Sequence, residues 1–393
     1  MSKQNFMEKL LDGVEVEWKP LGEVAEIQRG ASPRPIAKYI TDDRNGVPWI
    51  RIGDTTPSSK YVNSTAQKIT IEGAKRSRIL KKGDFIISNS MSFGRPYILN
   101  IDGAIHDGWA SISGFKGKLN ADYLYYYLSS NGVQNYWVSK INSGSVSNLN
   151  TEIIKTLPIP IPPLPIQTEI VRILDAFTEL TTELTAELTA RKKQYNYYRD
   201  QLLTFEEGQV EWKTLGTLAE NLDSMRKPIT NGLREPGDIP YYGASGIVDY
   251  VKDFIFDGDY LLISEDGANL VARSTPIAFS INGKSWVNNH AHVLKFNTYA
   301  ERRFVEYYLN SIDLTPYISG AAQPKLNQKN LNGISIPNPS LNEQERIVAI
   351  LDKFDTLTTS ITEGLPREIE LRQKQYEYYR EMLLSFPKDE VKA

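Results

Sequence analysis

The sequence predicts an α+β protein: a pseudo-twofold tandem repeat of two similar globular units, separated by two long antiparallel helices. The segment Gln194–Phe205 recurs almost unchanged as Gln375–Phe386. Each copy closes a helical pattern with apolar residues in alternating steps of three and four. Each helical pattern also follows a region of short strands and turns. A chain built as two similar halves is suited to a target that itself has two halves.

The repeat extends over a frame that covers the whole chain, whereas the stretches inside the frame, roughly 28–139 and 223–317, resemble one another little. The matched frame segments are Val14–Gly22 with Gly208–Gly216, Leu157–Ile161 with Ser335–Pro339, and Ile173–Phe177 with Ile350–Phe354. A shared frame with divergent contents favours one architecture with two specificities. We predict globular domains at 1–160 and 208–339, a central long helix at 161–207 and a C-terminal long helix at 340–393.

Composition bounds the possibilities. A chain of 393 residues is long for a single core, so two domains are the natural expectation. The absence of cysteine excludes disulfides, thiolate metal sites and cysteine nucleophiles. No apolar run approaches the roughly 18 to 20 residues that cross a bilayer, and the polar amino terminus does not resemble a signal peptide. We therefore expect a soluble protein of the cytoplasm, without a membrane partner.

The charge is distributed unevenly. The formal net charge is −3, but residues 1–160 carry 20 basic against 15 acidic side chains, and 206–337 carry 12 against 16. Within 29–95 there are 13 basic and 5 acidic residues, a net +8. This segment predicts a phosphate-binding surface in the first globular unit. The second unit has no such excess, which argues against tight DNA binding by this chain alone.

The two helical patterns each carry a narrow apolar seam. The first, running from Ile166 to Phe205, would span roughly 60 Å at about 1.5 Å per residue. A seam of that length needs a partner, and the second pattern supplies one, although each helix could instead pack on its own globular domain. The positions predicted for helix pairing or partner docking are Phe177, Leu180, Leu184, Tyr195, Tyr198, Phe354, Leu357, Ile361, Tyr376 and Tyr379.

The second helical pattern contains four more residues than the first before its aromatic ending. Gly364 and Pro366 fall within this stretch, and both residue types weaken a helix interior, so we expect a kink or break there. The second helix has a start signal at Asn342, three residues before Glu345, in the spacing of a capping box. The first helix is expected to begin just after a proline-rich joint that ends at Pro165.

The globular units read as short strands and helices. Phe85–Ser88 and Tyr260–Ser264 follow Gly-Asp turns and are predicted to be equivalent strands. Tyr123–Leu128 and Phe304–Leu309 are predicted to be short amphipathic helices.

A loop rich in small residues follows in each unit, at 143–150 and 320–327. Asn150 and Asn327 could bind an adenine edge or could cap the next helices, and the sequence favours capping. Gln323 and Lys325 are equally consistent with contact to a partner and with ordinary surface.

Further candidates for DNA contact are a basic turn that begins at Arg29 and the loops after the paired strands. Arginine suits phosphate and guanine because its fork donates two hydrogen bonds together. An ordinary solvated turn remains the alternative. The complete set of candidate DNA-binding residues is Arg29, Ser32, Arg34, Asn89, Ser90, Ser92, Arg95, Ser145, Asn148, Arg226, Lys227, Asp266, Asn269, Arg273, Gln323 and Lys325.

Motifs for catalysis are missing. The sequence has no GxGxxG after a strand, no GxxxxGKS/T loop and no Asn/Asp-Pro-Pro-Tyr/Phe motif, which a methyltransferase, an ATPase or a helicase would need. His290 and His292 could share one side of a strand, but only one other histidine exists, so we expect no metal site. No catalysis in this chain is the favoured interpretation.

The ordered set of repeats resembles the specificity subunit of a Type I restriction-modification system. The resemblance is carried by the two aromatic helix endings, the Glu-Trp-Lys-x-Leu-Gly openings, the proline joints and the loop from Gln323 to Asn327. The first unit departs from the family pattern at Val146, where the second has Gln323. A base contact from that loop is therefore less secure in the first unit.

The resemblance implies two target recognition domains, each reading one half of a bipartite, asymmetric site in double-stranded DNA. It also implies that the helices set the half-site spacing and dock two methyltransferase subunits, with ATP-dependent restriction subunits in the larger assembly. S-adenosylmethionine, ATP and magnesium are then expected only in the partner subunits. Two alternatives stay open: a freestanding duplicated nucleic-acid-binding module, and a cryptic nuclease or methylase.

Overall fold

The computed structural model describes residues 3–57, 59–89, 94–142, 148–320 and 323–387. The chain forms two compact units, one made of residues 1–183 and 369–393 and the other of residues 184–368. Both mix helices and sheets, so the predicted α+β class is confirmed. In the described part of the chain, no helix is both long and apolar enough to cross a membrane.

In its described residues, the first unit has two five-stranded sheets and one two-stranded sheet. Its strands β1 to β12 are Glu17–Pro20, Glu26–Arg29, Ile40–Thr41, Val47–Ile50, Tyr61–Val62, Gln67–Ile69, Arg78–Leu80, Phe85–Ser88, Pro96–Leu99, Gly103–Ile105, Trp109–Ser113 and Pro158–Ile161. The sheet orders are β3-β6-β4-β10-β7, β2-β11-β8-β9-β5 and β1-β12. Its helices α1 to α6 are Lys3–Leu11, Leu21–Val24, Ile71–Lys75, Ala121–Leu128, Asn131–Asn142 and Thr151–Lys155.

The long helix α7 spans Leu164–Leu203 and contributes to both units. The second unit contains sheets of order β14-β21-β18-β19, β16-β15-β20-β17 and β13-β22. Its strands β13 to β22 are Glu211–Thr214, Glu220–Asn221, Pro236–Gly243, Gly246–Val251, Phe256–Asp257, Tyr260–Ser264, Ala278–Ile281, Lys284–Val287, Ala291–Lys295 and Ser335–Asn338. Its helices α8 to α12 are Leu215–Leu218, Asn269–Ala272, Tyr299–Ser311, Gln328–Asn332 and Leu341–Thr359, and the last helix, α13, is Gly364–Leu383.

The predicted local elements are confirmed. The strands Phe85–Ser88 and Tyr260–Ser264 have the expected bounds and lie completely buried in central positions of their sheets. The predicted amphipathic helices lie within α4 and α10, where they bury their aromatic faces. Asn150 and Asn327 cap the helices that follow, because their side chains accept hydrogen bonds from the Ile153 and Asn330 amides at 2.9 Å each.

The recurring openings and joints pair with each other inside each unit. β1 runs antiparallel to β12 with Trp18 opposite Pro160, and β13 runs antiparallel to β22 with Trp212 opposite Pro337. The two frame markers therefore form one small sheet that joins the start of each globular region to its end. Matching backbone hydrogen bonds of 2.8 Å follow, from the Leu21 amide to Leu157 and from the Leu215 amide to Ile334.

The packing of the two aromatic helix endings accounts for their recurrence in the sequence. Leu383, Leu384 and Phe386 lie in the core of the first unit, together with residues of β2, β8 and β11. Leu203 lies in the core of the second unit, with Tyr195 and Phe205 packed against it. Each helix ending thus completes the core of the unit formed by the other repeat. The predicted central helix at 161–207 is therefore shared between two units.

The second helical pattern is interrupted, as its glycine and proline predict. α12 ends at Thr359 and α13 begins at Gly364, whose φ of +75° lies in the left-handed region. Two details of the prediction were wrong. The cap of α12 is Ser340, whose hydroxyl accepts from the Glu343 amide, and not Asn342. Ile361 lies in the interruption and is 79% exposed, so it does not take part in helix pairing.

Candidate nucleic-acid interface

The two units build the same backbone frame at the end of their central strands. In the first unit the Asn89 amide donates to the Gly108 carbonyl at 3.1 Å, and the Asn89 carbonyl accepts from the Leu149 amide at 3.1 Å. In the second unit Glu265 makes the same two bonds, with His290 at 2.9 Å and with Leu326 at 2.8 Å. Asn89 and Glu265 are thus equivalent positions with different side chains.

A second pair of bonds extends this equivalence to the neighbouring sheet. The His106 amide donates to the Ile50 carbonyl at 3.1 Å, and the Asn288 amide donates to the Tyr242 carbonyl at 3.0 Å. Around this frame the first unit carries one set of polar side chains and the second another. The equivalent pairs are Arg51 and Gly243, Asn89 and Glu265, His106 and Asn288, Gly108 and His290, and Asn148 and Lys325.

In the first unit, Asp107 organises the predicted basic turn. Its carboxylate accepts from the Ser32 hydroxyl at 2.8 Å and lies 3.4 Å from an Arg34 nitrogen, while its carbonyl accepts from Arg29 Nε at 3.3 Å. Burial by itself would raise the pKa of Asp107, but the Ser32 bond and the neighbouring His106 and Arg34 hold that pKa below its usual range. The three predicted residues therefore meet at Asp107, Ser32 and Arg34 at its carboxylate and Arg29 at its carbonyl.

The same turn opens a cleft of about 880 Å³. The cleft is lined by both apolar and polar side chains, and its lining residues are Ser32, Pro33, Arg34, Pro35, Ile36, Ile40, Trp49, Arg51, Gln67, His106 and Asp107. His106 accepts from the Gly108 amide at Nδ1, at 2.9 Å, and its Nε2 lies 3.0 Å from Asp107, which orients the ring. The sequence prediction missed Asp107 and His106, although a polar turn between two buried strands was a signal that could have identified them.

Three of the remaining predicted residues of the first unit, Asn89, Arg95 and Asn148, are among the described residues. Asn89 is partly buried at the end of β8, and its side-chain oxygen has no hydrogen-bond partner within the described residues. Arg95 is partly buried, and its carbonyl accepts from the Ser88 amide at 3.4 Å. Asn148 is exposed directly before Leu149. The predicted residues Ser90, Ser92 and Ser145 lie outside the described residues.

In the second unit, the equivalent place holds an ion-pair cluster formed by Asp223, Arg226, Glu265, His292 and Lys325. Arg226 Nη1 lies 2.6 Å from a Glu265 oxygen, Arg226 Nη2 lies 3.4 Å from Asp223, and Lys325 Nζ lies 3.0 Å from the other Glu265 oxygen. Burial would raise the pKa of Glu265, but the hydrogen bonds from Arg226 and Lys325 leave that pKa below its usual range. The ionised Glu265 carboxylate therefore bridges Arg226 and Lys325.

His292 joins the cluster to the loop that carries Lys325. The buried ring places Nδ1 at 2.6 Å from Asp223 and Nε2 at 2.7 Å from the Leu326 carbonyl. The ring therefore links the Asp223 carboxylate to the backbone of that loop. Burial would raise the pKa of Asp223, but the bond to His292 and the charges of His292 and Arg226 lower it.

Oxygen and nitrogen atoms of Asp223, Glu265 and His292 lie within 4.8 Å of one another, as they would in a metal site. The guanidinium of Arg226 is the cation that these carboxylates contact, and His292 Nε2 is directed at a carbonyl. The geometry therefore favours a structural ion-pair cluster over metal ligation at this place.

The other predicted residues of the second unit divide into exposed and engaged groups. Gln323 and Lys227 are exposed, Lys325 is half exposed, and Asp266 pairs with His290 at 2.8 Å at the rim. Arg226 forms ion pairs with Asp223 and Glu265 inside the cluster. Asn269 bonds the Thr275 amide and carbonyl at 3.0 Å each, and Arg273, at φ +53°, donates to the Ile312 carbonyl. A structural role therefore explains these last three side chains without any DNA contact.

The predicted pairing residues lie along the helices as follows. In the first unit Phe177 stacks on Tyr379 with ring centroids 5.3 Å apart. In the second unit Phe354 lies against Tyr195 at 6.2 Å and stacks on Tyr198 at 5.8 Å. Tyr376 packs against the core of the first unit, and Leu180, Leu184 and Leu357 are partly buried along the same helices.

The comparisons with known proteins assign this architecture to a family. A family model described as the Type I restriction modification DNA specificity domain matches the chain twice, at residues 13–191 and 208–371. The chain belongs to the Type I restriction-modification specificity family. The two matches coincide with the two repeats of the frame, so the specificity domain occurs here in tandem.

Relatives in the specificity family match over nearly the full chain. A Type I restriction enzyme specificity subunit from Escherichia coli is 37% identical, over 100% of this chain and 99% of the relative. The EcoprrI specificity subunit, also from Escherichia coli, is 34% identical over 92% of this chain and 93% of its own length. A putative Type I restriction enzyme specificity subunit from Haemophilus influenzae is 33% identical over 98% and 99%.

Solved structures share the fold of the specificity family. A chain from a study of complex assembly and conformational transition of the Type I restriction-modification system aligns with a TM-score of 0.64, at 18% identity, over 94% of this chain and 98% of its own. The specificity subunit from Mycoplasma genitalium aligns with a TM-score of 0.55, at 16% identity, over 96% and 98%. At these identities the likeness shows the fold.

Proposed function

We propose that this chain is the DNA-recognition subunit of a Type I restriction-modification complex, in which each unit reads one half of a bipartite, asymmetric site in double-stranded DNA. The observation that carries the proposal is the repeated backbone frame with different side chains at equivalent positions. Asn89 and Glu265 make the same two backbone bonds yet present an amide and a carboxylate. Two units of one architecture with different polar surfaces are suited to two different half-sites.

The first unit is the better source of phosphate contacts. Its segment 29–95 has a net charge of +8, and Arg29 and Arg34 extend from the turn around Asp107. The second unit has the opposite balance, with 12 basic and 16 acidic residues in 206–337. Tight binding therefore requires partners that supply more positive charge, and the family relationship supports methyltransferase subunits in that role.

We propose that the paired helices dock two methyltransferase subunits, with restriction subunits joining the larger complex. Tyr197 and Tyr378 occupy equivalent places in the two aromatic endings, and they are 59% and 56% exposed. Their neighbours Tyr198 and Tyr379 stack on phenylalanines of the paired helix. An exposed aromatic side chain beside a packed one is typical of a docking surface.

On this proposal the chain itself is not catalytic and works in the cytoplasm. Methyl transfer with S-adenosylmethionine, and ATP- and magnesium-dependent restriction, would belong to the partner subunits. The purified chain alone should then neither methylate nor cleave DNA. Turnover by the purified chain would refute this part of the proposal.

Single-molecule methylation mapping tests the proposal directly. In cells that express the chain with its presumed methyltransferase, we expect a bipartite motif, methylated on adenine, that disappears when this chain is deleted. A control chain carrying Leu233→Ala, a change at a position that is 76% exposed, should leave the motif unchanged. No motif, or a motif that survives deletion of the chain, would refute the assignment.

The role of the helices as a spacer has a separate test. Deleting Thr362–Leu365 removes the four-residue difference between the two helical patterns, in the interruption before and at the start of α13. If the helices set the half-site spacing, the deletion should change the gap between the half-sites while both half-sites keep their sequence. A mapped motif with an unchanged gap would contradict this role.

A further inference from the structure

Arg51 has the placement of a base-reading residue in the first unit, although the sequence prediction did not include it among the DNA contacts. It directly follows β4 and lines the cleft beside Gln67 and His106. Its side chain is 38% exposed, so it is accessible from the opening of the cleft. A charged fork at the edge of a cleft within the most basic segment of the chain is suited to an anionic or electron-rich ligand.

The Asp54 carboxylate fixes the backbone at Arg51 by hydrogen bonds to main-chain amides. Both oxygens of the buried Asp54 carboxylate accept from backbone amides, one from Arg51 at 2.8 Å and the other from Ala66 at 2.9 Å. Asp54 lies 3.9 Å from Arg51 Nε, too far for a hydrogen bond. Within the described residues, the buried Arg51 Nε has no hydrogen-bond partner. This buried Nε is out of reach of an external acceptor, so the exposed part of the side chain is where a ligand in the cleft would make contact.

Arg51 differs in this respect from the neighbouring arginines. Arg29 donates to the Asp107 carbonyl, and Arg34 lies 3.4 Å from the Asp107 carboxylate. Both are thus tied to the turn that they belong to. Arg34 is the more exposed of the two arginines that line the cleft, at 82%, but it lies against the Asp107 carboxylate. Arg51 is 38% exposed, and the acidic group nearest to it within the described residues is Asp54, at 3.9 Å.

The equivalent position in the second unit is a glycine with little room for a side chain. Gly243 follows Tyr242 as Arg51 follows Ile50, and a Cβ atom there would lie 2.8 Å from the Val248 side chain and 3.3 Å from the Asn288 amide nitrogen. A side chain there would require the Val248 methyl group to shift and would press on the Asn288 amide. The two units therefore share the backbone at this position, but only the first unit has a guanidinium there. Such a difference is expected at a position that distinguishes two half-sites.

We propose that Arg51 determines specificity in the half-site read by the first unit by donating to the O6 and N7 edge of a guanine. This inference rests on the proposed function, because it assigns a role within the DNA site of that unit. The guanidinium fork matches the two acceptors of guanine in the major groove, and this pairing discriminates against other bases. A DNA phosphate offers the same acceptor chemistry without sequence information, and the experiment separates the two.

The test compares Arg51→Gln and Arg51→Lys with wild type, each assembled with the methyltransferase subunit. Arg44→Gln is the matched control, because it removes the same charge from an exposed turn of the same unit. Each guanine of the mapped motif is replaced in turn by 7-deazaguanine, which lacks the N7 acceptor, and initial methylation rates are measured. For wild type we expect one position, in one half-site only, to lose about 5- to 150-fold.

The variants should remove the sensitivity at that position. Arg51→Gln should methylate the natural site more slowly and lose nothing further with 7-deazaguanine, and Arg51→Lys should show a reduced effect, since one amine replaces the fork. Arg44→Gln can lower the overall rate through the loss of one positive charge, but it should keep the wild-type sensitivity to 7-deazaguanine at that position and the wild-type base preference. Mapping in cells should show relaxed base preference at the same position for the Arg51 variants alone.

Several results would overturn the inference while leaving the proposed function intact. These are a wild-type motif without guanine in either half-site, no position sensitive to 7-deazaguanine, or sensitivity that persists in Arg51→Gln. A uniform rate loss over all sequences, with a salt dependence of binding reduced by about one phosphate contact, would assign Arg51 to the backbone instead. If Arg51→Gln fails to fold, Arg51→Lys still tests the assignment, and a wild type without any position sensitive to 7-deazaguanine overturns the inference by itself. Absence of any motif for wild type would refute the proposed function itself.

Discussion

The aromatic contacts along the helices predict that each unit is stabilised by its own pair of helical segments. These are α7 with α13 in the first unit and α7 with α12 in the second. Phe354 of α12 contacts Tyr195 and stacks on Tyr198, both in the second unit. Replacing a fully buried phenylalanine by alanine costs roughly 3 to 5 kcal/mol, and Phe354 is only partly buried. Including the loss of two aromatic pairs, we expect Phe354→Ala to destabilise the second unit by about 2 to 3 kcal/mol.

The matched variant is Phe177→Ala, because Phe177 stacks on Tyr379 in the first unit at 5.3 Å. The assay is native-state hydrogen exchange, which reports the opening free energy of each unit from its own amides. A loss of about 2 kcal/mol corresponds to roughly 30-fold faster exchange of the most protected amides. Phe354→Ala should accelerate exchange around Leu351 and Leu203, and Phe177→Ala should accelerate it around Leu174 and Leu383.

The reciprocal design makes the reasoning refutable. Phe254→Ala, at an exposed aromatic position of the second unit, should change protection by less than about 0.5 kcal/mol. If Phe354→Ala left the protection of the second unit unchanged, the aromatic pairing would not stabilise that unit. If both variants lowered protection equally throughout the chain, the units would not open separately.

Three further changes have outcomes that follow from single contacts. Asp223 and Glu265 have folded pKa values below their usual range, so the stability they contribute is present above about pH 4 and is lost as the pH falls below it. In acid titrations followed by circular dichroism, Asp223→Asn should therefore lose stability less steeply than wild type. An equal slope for the two proteins would contradict this coupling. Asn327→Ala removes a helix cap and should cost about 1 kcal/mol in urea unfolding of the second unit, where no loss would show that the cap is dispensable. Gly364→Ala should destabilise the second unit by more than about 1 to 2 kcal/mol in the same assay, because φ is +75° and the new Cβ would lie 2.4 Å from the Thr356 carbonyl. The control Gly232→Ala should be nearly neutral, because no described atom lies within 4 Å of its new Cβ.

Local chemistry explains which features the sequence could predict. Asn150 and Asn327 precede short helical patterns, and a cap needs only the amides of the next three residues. The break at Gly364 follows from residue types that disfavour a helix wherever they occur. The paired central strands are apolar runs bounded by turns, so their bounds are set by nearby residues. Features of this kind depend on few long-range contacts.

The candidate site was only partly predictable, because its side chains meet across large sequence separations. Ser32 and Arg34 were predicted, but the carboxylate that joins them, Asp107, lies more than 70 positions away. Arg226 was also predicted to contact DNA. Its actual partner, Glu265, is brought beside it by the sheet, and this leaves the arginine engaged inside the unit.

The sequence by itself determined that the protein is a tandem repeat with a shared frame, two long helical segments and two divergent surfaces, because repetition and periodicity are properties of residue order alone. Only the tertiary structure decided that each aromatic ending, including Leu203 and Leu383, completes the core of the unit built by the other repeat. Only the tertiary structure also decided that Arg51 faces a cleft where its counterpart is Gly243. The physical reason is that burial and pairing depend on distances between elements, which a linear pattern does not contain.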